Sequence, residues 1–582
     1  MVKKNQKEDF HKRTAILTVF LVLFFAIITY RLFKIQILDG VHNRALAEAQ
    51  HSIYRKLSPS RGEIKITDKF SNTPHAVAID IKKYLVYAVP LEIKNLNSTA
   101  NNLSVVLGIE SSEISAKIST SNKKYVPLKK ELTQAEQKKI EELKLPGIYF
   151  DSEDARFYPD LKLLSHVLGF VGYGKENTKI GLYGVEKFFQ NDLAGKNGSL
   201  TEEKDTAGAW IFGSKRDLTP AVDGSNFILT IDKTLQFKAE TALKEAVTLH
   251  GADRGSIIIA NPKTGAILAM AGFPDFNPNE YGKVKNADDY INQTTTGNYE
   301  PGSTFKPLTM AASVDEGRVM PDTTYVDTGQ VAIDGYVIKN SDNKAHGVQT
   351  MTQVLDESLN TGIIFAKEKI GNVEFLKYIK KFGFGEKTGI ELPETKGNLD
   401  NLKANIGVNY HTASFGQGIS VTPIQMIQAY TALANGGSMM KPYIIQSKIS
   451  PEGVVTNTVP QVVKEVVSKK TAGILSAMLV SVVENGHGKK AAVPGYYIAG
   501  KTGTSQVARK DGKAGYEESN NIGSFIGFGP VENPQFLMIV RVDHPRDVKF
   551  AETTAAPTFG ELAKFILNYY NIAPTREIPK SK

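Results

Sequence analysis

The stretch that decides the fold reads Tyr299-Glu300-Pro301-Gly302-Ser303-Thr304-Phe305-Lys306-Pro307. Pro301 and Gly302 before an apolar stretch are typical of a helix start, so we expect Ser303 in or next to the first helical turn. Lys306 follows three residues later, which predicts that it lies on the same helix face. A serine hydroxyl needs an adjacent base to act as a nucleophile, and a lysine can serve when burial or a nearby cation lowers its pKa. Ser303 and Lys306 are therefore a candidate nucleophile and base.

The serine–lysine spacing is weak evidence on its own. Ser121 and Lys124 show the same spacing in a polar stretch, where a solvated loop is the better interpretation. An acyl enzyme of this kind also needs a second hydroxyl to relay protons and a strand-borne cation to bind a substrate carboxylate. The pattern of such enzymes is S-x-x-K, then S-x-N, then K-T-G.

Three stretches match K-T-G, beginning at Lys263, Lys387 and Lys501. The first lies in a predicted hairpin turn and the second in a glycine-rich loop, and we interpret both as turns. The third follows a strand-like run, Tyr496 to Ala499, and comes last in the chain. We expect it on an edge strand that lines a cleft, where glycines let a ligand approach the backbone. The predicted substrate-binding residues are Lys501, Thr502, Gly503 and Thr504.

The S-x-N pattern also has three matches. Ser519-Asn520-Asn521 comes after Lys501, so the order of the motifs excludes it. Ser341-Asp342-Asn343 lies among polar residues and is typical of a solvated turn. Ser358-Leu359-Asn360 joins two helical runs, and such a junction can hold side chains rigidly in a cleft. We therefore favour Ser358 and Asn360.

The elements around these motifs predict an α+β fold. Two apolar runs, Ser256 to Ala260 and Ala266 to Met270, flank an Asn/Pro/Gly turn and predict a β-hairpin. A long helical middle, three strand-like runs and a closing helix, Glu561 to Tyr569, follow. This order predicts an antiparallel sheet covered by helices.

The N-terminus predicts a membrane anchor. Thr14 to Tyr30 is free of charge and rich in large apolar residues, and the apolar stretch extends to Phe33. Lysine and arginine prevail before it, so the positive-inside rule leaves residues 1–13 in the cytoplasm and the rest outside. A cleaved signal peptide is the alternative, because Ala45-Leu46-Ala47 matches a cleavage pattern. That site lies well past the apolar run, which favours an uncleaved, single-pass anchor over residues 14–33.

The length of 582 residues predicts two or more folded domains. We expect a pedestal over residues 34–222, a catalytic domain over 223–570 and a polar tail over 571–582. The net charge of +9 is mild, and the single Trp and absence of nucleic-acid motifs argue against a nucleic-acid binder. The chain has no cysteine, which excludes disulfides and thiolate catalysis.

Taken in this order, the motifs resemble those of class B penicillin-binding proteins, in particular the septal, FtsI-like type. The catalytic zone resembles them through the Ser303 stretch, Ser414 to Pro423 and Ala499 to Thr504. The pedestal zone resembles them through Arg61 to Ile64, His166 to Phe170 and Gly184 to Lys187. Two places depart from the family pattern: Lys65 to Phe70, and His487, where the family commonly carries Gly-Thr.

The resemblance implies a D,D-transpeptidase that cross-links peptidoglycan stem peptides ending in D-Ala-D-Ala and is acylated by β-lactams. Ser303 would attack, Lys306 would take its proton and Ser358 would pass the proton to the departing D-Ala. Asn360 would bind the substrate amide and Lys306, and the backbone N–H groups of Ser303 and Thr504 would form the oxyanion hole. No metal or organic cofactor is implied. The implied location is the bacterial cytoplasmic membrane, with the catalytic domain outside.

The implied partners are a polytopic glycosyltransferase of the shape-and-division family and other division proteins. Several other functions remain as alternatives. An elongation-type transpeptidase would carry the same motifs. A β-lactamase would lack a long pedestal and would need a base that activates water. A β-lactam sensor would normally span the membrane more often. A silent scaffold would not need every motif intact.

Overall fold

The protein is described from a computed structural model, which describes residues 2–43, 52–119, 125–175, 178–203, 216–404, 406–508, 516–547 and 551–577. The chain forms two compact units. One unit consists of Met1–Pro59 and Gly195–Asp223, and the other of Ser60–Ala194 and Gly224–Lys582. The cleavage-like stretch at Ala45 and the second serine–lysine pair at Ser121 lie outside the described residues.

Strands and helices alternate along the described chain. The strands are β1 Ser52–Leu57, β2 Ile64–Asp68, β3 Ser71–Ala88, β4 Val126–Leu132, β5 Ile148–Phe157, β6 Val171–Tyr173, β7 Lys179–Gly181, β8 Gly198–Glu203, β9 Arg216–Thr219, β10 Asn226–Asp232, β11 Arg254–Ala260, β12 Ile267–Phe273, β13 Thr324–Asp327, β14 Gln330–Ile333, β15 Tyr336–Lys339, β16 Gly347–Thr350, β17 Ser438–Met440, β18 Ile445–Ile449, β19 Val455–Asn457, β20 Val462–Glu465, β21 Ala499–Ala508, β22 Tyr516–Gly529 and β23 Phe536–Asp543. The α-helices are α1 Val2–Phe33, α2 Leu96–Leu107, α3 Ser111–Ser119, α4 Gln134–Glu142, α5 Ser165–Leu168, α6 Gly184–Phe188, α7 Gln190–Leu193, α8 Lys233–Leu249, α9 Gln293–Thr296, α10 Lys306–Asp315, α11 Met351–Asp356, α12 Asn360–Glu368, α13 Gly371–Lys381, α14 Gly407–Ser414, α15 Pro423–Ala434, α16 Lys469–Glu484 and α17 Ala555–Tyr569.

The smaller unit contains helix α1 and a three-stranded sheet in the order β1-β8-β9. Helix α1 passes into a π-helical turn, Lys34–Leu38, and the apolar segment Asp9–Leu38 is long enough to cross a membrane. Its side chains are exposed, as expected of a helix whose apolar surface faces lipid rather than a protein core.

A five-stranded antiparallel sheet organises the catalytic part of the larger unit. Its strand order is β12-β11-β23-β22-β21, so β21 lies at the edge. All eight residues of β23 are buried, because both faces of the sheet are covered. Helices α8 and α17 contribute to the core on one face, and the helices between β12 and β21 contribute to the core on the other. This is the predicted α+β architecture, with an antiparallel sheet covered by helices.

The helices between β12 and β21 include two that are buried almost all round. Nine of the ten residues of α10 and all twelve of α15 are buried, which is typical of a helix inside a large core. Thr422 caps α15 through a reciprocal capping box with Gln425, and Pro423 occupies its first turn. These two helices place the Ser303 turn firmly against the sheet.

The pedestal segment of the larger unit shares a sheet with the catalytic part. Strand β2 pairs in parallel with β10, so that β2 to β5 continue a sheet containing β10, β18 and β19. Buried Glu186 accepts hydrogen bonds from Arg61 Nε at 2.6 Å and Arg156 Nε at 2.7 Å. Gly62 is needed next to Arg61, because a Cβ there would lie 1.9 Å from the Ser225 carbonyl oxygen.

Two predicted element boundaries are wrong. The strand predicted over Tyr496 to Ala499 begins only at Ala499 and contains the K-T-G residues instead of preceding them. Pairing with β22 imposes the extended conformation on a glycine-rich stretch whose own strand propensity is low. The closing helix begins at Ala555, six residues before the predicted Glu561.

Candidate active site

Ser303 lies in a short 3₁₀ turn, Gly302–Phe305, that leads directly into α10. Gly302 has a φ of 56°, a left-handed conformation that favours glycine. A Cβ at Gly302 would also lie 2.9 Å from the Thr504 carbonyl oxygen, so the turn and β21 approach closely here. Ser303 is half-buried at this junction, and Lys306 one turn further on is fully buried.

The buried amino group of Lys306 contacts the S-x-N segment. Lys306 Nζ donates to the Ser358 carbonyl oxygen at 2.5 Å and to Ser358 Oγ at 3.2 Å. Lys501 Nζ donates to the same hydroxyl oxygen at 3.1 Å. The structure therefore brings Lys306, Ser358 and Lys501 together around one hydroxyl group.

Ser358 occupies a strained backbone conformation. Its φ is 57°, which is uncommon for a residue other than glycine. The turn between α11 and α12 holds it there: Ser358 N donates to the Leu355 carbonyl, and Leu359 N donates to the Val354 carbonyl. Strained residues of this kind cluster at functional sites, where the surrounding structure holds them in place.

Strand β21 carries the predicted carboxylate-binding residues along the edge of the sheet. Lys501 is fully buried, Thr502 is buried and Thr504 is half-buried. Gly503 has no room for a side chain, because a Cβ would lie 2.7 Å from both Ser524 Oγ and Thr304 Cγ2. The strand thus packs directly on the turn that carries Ser303.

The electrostatics of the site favour a neutral Lys306. Burial lowers the pKa of Lys306 well below its usual range, and the charge of Lys501 lowers it further. Burial also lowers the pKa of Lys501, to about 7, although Asp356 and Glu357 act in the opposite direction. A neutral lysine amine next to a serine hydroxyl can accept a proton, and a charged lysine nearby can bind an anion.

The structure differs from the sequence expectation at Asn360. Its Nδ2 donates to the Lys339 carbonyl oxygen at 2.8 Å, and no hydrogen bond joins it to Lys306 within the described part of the chain. Asn360 begins α12, and the hydrogen bond directs its amide towards the end of β15. Likewise, no hydrogen bond links Ser303 Oγ to Lys306 among the described residues. Lys306 Nζ donates to Ser358 instead.

The competing matches lie in turns and loops. Lys263 precedes Gly265, which has a φ of 84° in the turn between β11 and β12. Thr388 donates to the Glu394 carboxylate at 2.8 Å in the loop after α13. Ser341 lies between β15 and β16. The side chains of Ser519 and Asn520 are outside what the structure describes.

Sequence reasoning missed Asp356, which lies just before Ser358. Its Oδ2 accepts a hydrogen bond from Ser481 Oγ at 2.9 Å, while its buried Oδ1 has no partner among the described residues. Burial raises the pKa of Asp356, and its charge supports that of Lys501. The signal in the sequence was the pair of acids directly before Ser358, which only the tertiary structure places near Lys501.

Comparisons with known proteins agree with the motifs. The family described as the penicillin binding protein transpeptidase domain matches residues 255–564, and the penicillin-binding protein dimerisation domain matches residues 56–229. Stage V sporulation protein D of Bacillus subtilis is 35% identical, over 97% of this chain and 87% of that protein. Peptidoglycan D,D-transpeptidase FtsI of Escherichia coli K12 is 31% identical, over 89% of this chain and 85% of that protein.

Solved structures share the fold over most of the chain. Penicillin binding protein 2X from Streptococcus thermophilus aligns with a TM-score of 0.76 at 25% identity, covering 90% of this chain and 81% of that one. Penicillin binding protein 3 from Mycobacterium tuberculosis, in complex with aztreonam, aligns with a TM-score of 0.68 at 25% identity. The alignment covers 90% of this chain and 99% of that one.

Proposed function

This chain belongs to the class B penicillin-binding proteins, and on that premise we propose that it cross-links peptidoglycan stem peptides through an acyl-enzyme formed on Ser303. It is a serine-type D,D-transpeptidase. The observation that carries the assignment to these residues is the convergence of Lys306 and Lys501 on the Ser358 hydroxyl, next to the Ser303 turn. We also propose a pedestal over residues 34–222, a catalytic domain over 223–570 and a polar tail over 571–582.

The first half of the reaction forms the acyl-enzyme. Ser303 Oγ attacks the carbonyl carbon of the penultimate D-Ala, and neutral Lys306 accepts the hydroxyl proton. The amide bond to the terminal D-Ala breaks, and the Ser358 hydroxyl passes a proton from Lys306 to the leaving amine. The short path from Lys306 Nζ to Ser358 Oγ, 3.2 Å, supports this relay.

Strand β21 binds and orients the donor peptide in this proposal. Lys501, Thr502 and Thr504 hold the terminal carboxylate, and Gly503 lets β21 pack closely against the Ser303 turn. The N–H groups of Ser303 and Thr504 form the oxyanion hole, in which removal of one donor typically slows a reaction about 100- to 1000-fold. The close approach of Gly302 to the Thr504 carbonyl supports this pairing of backbone segments.

The second half of the reaction transfers the acyl group. An amine from a neighbouring stem peptide attacks the ester carbonyl, its proton passes to Lys306, and Ser303 leaves with a proton as the free hydroxyl. In this proposal Asn360 binds the amide of the donor peptide. Its side chain contacts the Lys339 carbonyl in the free enzyme, so this role requires it to turn into the cleft when substrate arrives. β-Lactams acylate Ser303 in the same way, and we expect their ester to persist on the timescale of turnover.

We propose a septal role in cell division, for which the FtsI-named relatives are the support. A role in sporulation is the second candidate, because Stage V sporulation protein D is 35% identical over nearly the whole chain. Depletion in the source bacterium separates the roles. A septal enzyme gives filaments, a sporulation enzyme leaves growth intact and impairs spores, and an elongation enzyme gives rounded cells.

The proposed location is the cytoplasmic membrane, with α1 as a single span. The lysines and arginine before the apolar segment support a cytoplasmic N-terminus and an external catalytic part. Proposed partners are a polytopic glycosyltransferase of the shape-and-division family and other division proteins, which would contact the anchor and the pedestal.

A fluorescent penicillin tests the proposed nucleophile on the full-length protein. We expect stable labelling of the wild type and of the matched control Ser121→Ala, and none of Ser303→Ala. Rapid release of the label would indicate a β-lactamase, and labelling that survives in Ser303→Ala would overturn the assignment.

A further inference from the structure

His487 lies between two carboxylates that flank the proposed cleft. Its Nδ1 is 3.2 Å from Glu552 Oε2, and its Nε2 is 3.7 Å from Glu357 Oε2. The three side chains are 46%, 41% and 44% exposed, so solvent reaches all of them. The two ring nitrogens face different acids, which makes the ring a bridge rather than one half of a simple pair.

The two carboxylates lie on different segments, each next to a residue of the proposed site. Glu357 directly precedes Ser358, the hydroxyl shared by the two lysines. Glu552 directly follows Ala551, whose N–H donates to Thr504 Oγ1 at 3.3 Å. A link through His487 therefore joins the Ser358 turn to the segment that contacts β21.

The loop that carries His487 is held tightly against the Ser358 turn. His487 N donates to the Asp356 carbonyl oxygen at 3.3 Å. A Cβ at Gly486 would lie 2.5 Å from the same oxygen, so the two backbones are in direct contact. A change in the side-chain contacts of His487 therefore acts directly on the Ser358 turn.

The chemistry of imidazole makes this bridge sensitive to its charge. A neutral ring carries one N–H, so one of the two carboxylates faces a nitrogen lone pair. An imidazolium carries an N–H on both nitrogens and attracts both carboxylates. Histidine is the side chain that ordinarily changes charge between about pH 5 and 8.

We propose that His487 is a positioning residue whose protonated ring ties Glu357 to Glu552 and so holds the Ser358 turn and the Thr504 strand together for acylation. The inference rests on the function proposed for Ser303. Protonation also offsets the negative charge of these acids close to Lys501, where the anionic end of a donor peptide or β-lactam would bind.

The segments around His487 carry other charged groups, including one acid and three lysines. Asp356 directs its Oδ2 towards Ser481 and not towards the imidazole. Lys489 and Lys490 follow on the same loop and are exposed, so solvent screens them. Lys501 is buried, and the charge of Glu357 acts to raise its pKa.

The test measures second-order acylation constants of the full-length protein with a fluorescent penicillin, between about pH 5.5 and 8. The informative quantity is the ratio of wild type to His487→Gln at each pH. Lys306 and Lys501 are present in both proteins, so the remaining pH dependence reports the charge of His487, acting directly or through Lys501. We expect this ratio to rise about three- to tenfold towards the acid end, as two exposed ion pairs allow. His75→Gln is the matched control, because His75 is also part-exposed and pairs with an acid, Asp160, away from the cleft segments.

Two further variants sharpen the result. In a Glu357→Gln, Glu552→Gln background the pH dependence of the ratio should disappear, since the ring then has no carboxylates to join. For His487→Lys, which stays charged, the ratio of wild type to variant should fall from the acid end towards about pH 8, and this holds even if His487→Gln folds poorly. A ratio that is flat with pH, or one that keeps its pH dependence without the two acids, overturns the inference. Failure of the wild type to label at Ser303 would instead overturn the proposed function.

Discussion

Lys306 and Lys501 are both fully buried and converge on one hydroxyl group, Ser358 Oγ, at 3.2 and 3.1 Å. Two charged ammonium groups this close to one another inside a protein are unfavourable in free energy, because each loses its hydration and repels the other. The site resolves this conflict by favouring the neutral form of Lys306. In the proposed mechanism, that neutral amine is the base that Ser303 requires.

Replacing Lys306 with methionine tests this role. We expect Lys306→Met to lower the acylation constant at least about 100-fold, the usual range for loss of a general base, while the protein stays folded. Lys367→Met is the matched control: Lys367 is also fully buried but bonds Glu368 and Asn372 instead of the cleft. Penicillin acylation and thermal melting measure both effects. Equal losses of activity in the two variants would contradict a special role for Lys306.

The pH dependence of acylation should report Lys501. Burial lowers its pKa to about 7, so above that pH it loses the charge that we propose binds an anionic β-lactam, and the second-order acylation constant should fall. This decrease forms the alkaline limb of the pH profile. In Lys501→Arg the guanidinium stays charged, so we expect the alkaline limb to disappear although acylation is slower overall. The acid limb, set by protonation of Lys306, should remain. An alkaline limb that persists unchanged in Lys501→Arg would assign it to another group.

Two substitutions of Ser358 separate the catalytic effect of its hydroxyl group from the effect of its strained backbone on stability. Both Ser358→Ala and Ser358→Gly remove the shared hydroxyl, so each should lower the acylation constant by a similar factor, about 100-fold. At a φ of 57° glycine is unstrained, so Ser358→Gly should have a free energy of unfolding about 1 kcal/mol higher than Ser358→Ala. Chemical denaturation measures that difference. Equal stabilities would show that the turn relaxes in the variants.

Gly416 and Gly418 provide a matched pair near the Ser303 turn. Both have left-handed φ values, 80° and 72°, so alanine strains the backbone at either position. A Cβ at Gly416 would lie 2.3 Å from the Gly302 carbonyl oxygen, whereas at Gly418 the nearest atom is 3.4 Å away. We expect Gly416→Ala to cost at least about 2 kcal/mol more stability and to slow acylation, because it displaces the Ser303 turn. Comparable melting temperatures would contradict this close contact.

Much of the fold could be predicted from local patterns. The apolar runs around Asn261 to Gly265 predicted the hairpin of β11 and β12, and the uncharged run after Arg13 predicted the N-terminal helix. Pro301 and Gly302 predicted a helix start at Ser303, and the structure has a 3₁₀ turn there leading into α10. These features depend on residues close together in the chain, so spacing and periodicity are enough to find them.

The arrangement of the site was decided by contacts between distant segments. Ser358 meets Lys306 across 52 positions of the chain and Lys501 across 143. The position of Asp356 beside Lys501 and the bond of Asn360 to Lys339 both depend on how the sheet and helices pack. The sequence by itself determined the candidate residues, the order of the motifs and the anchor. Only the tertiary structure decided which side chains share a hydrogen bond and which charges are buried, because burial and long-range pairing are properties of the packed chain.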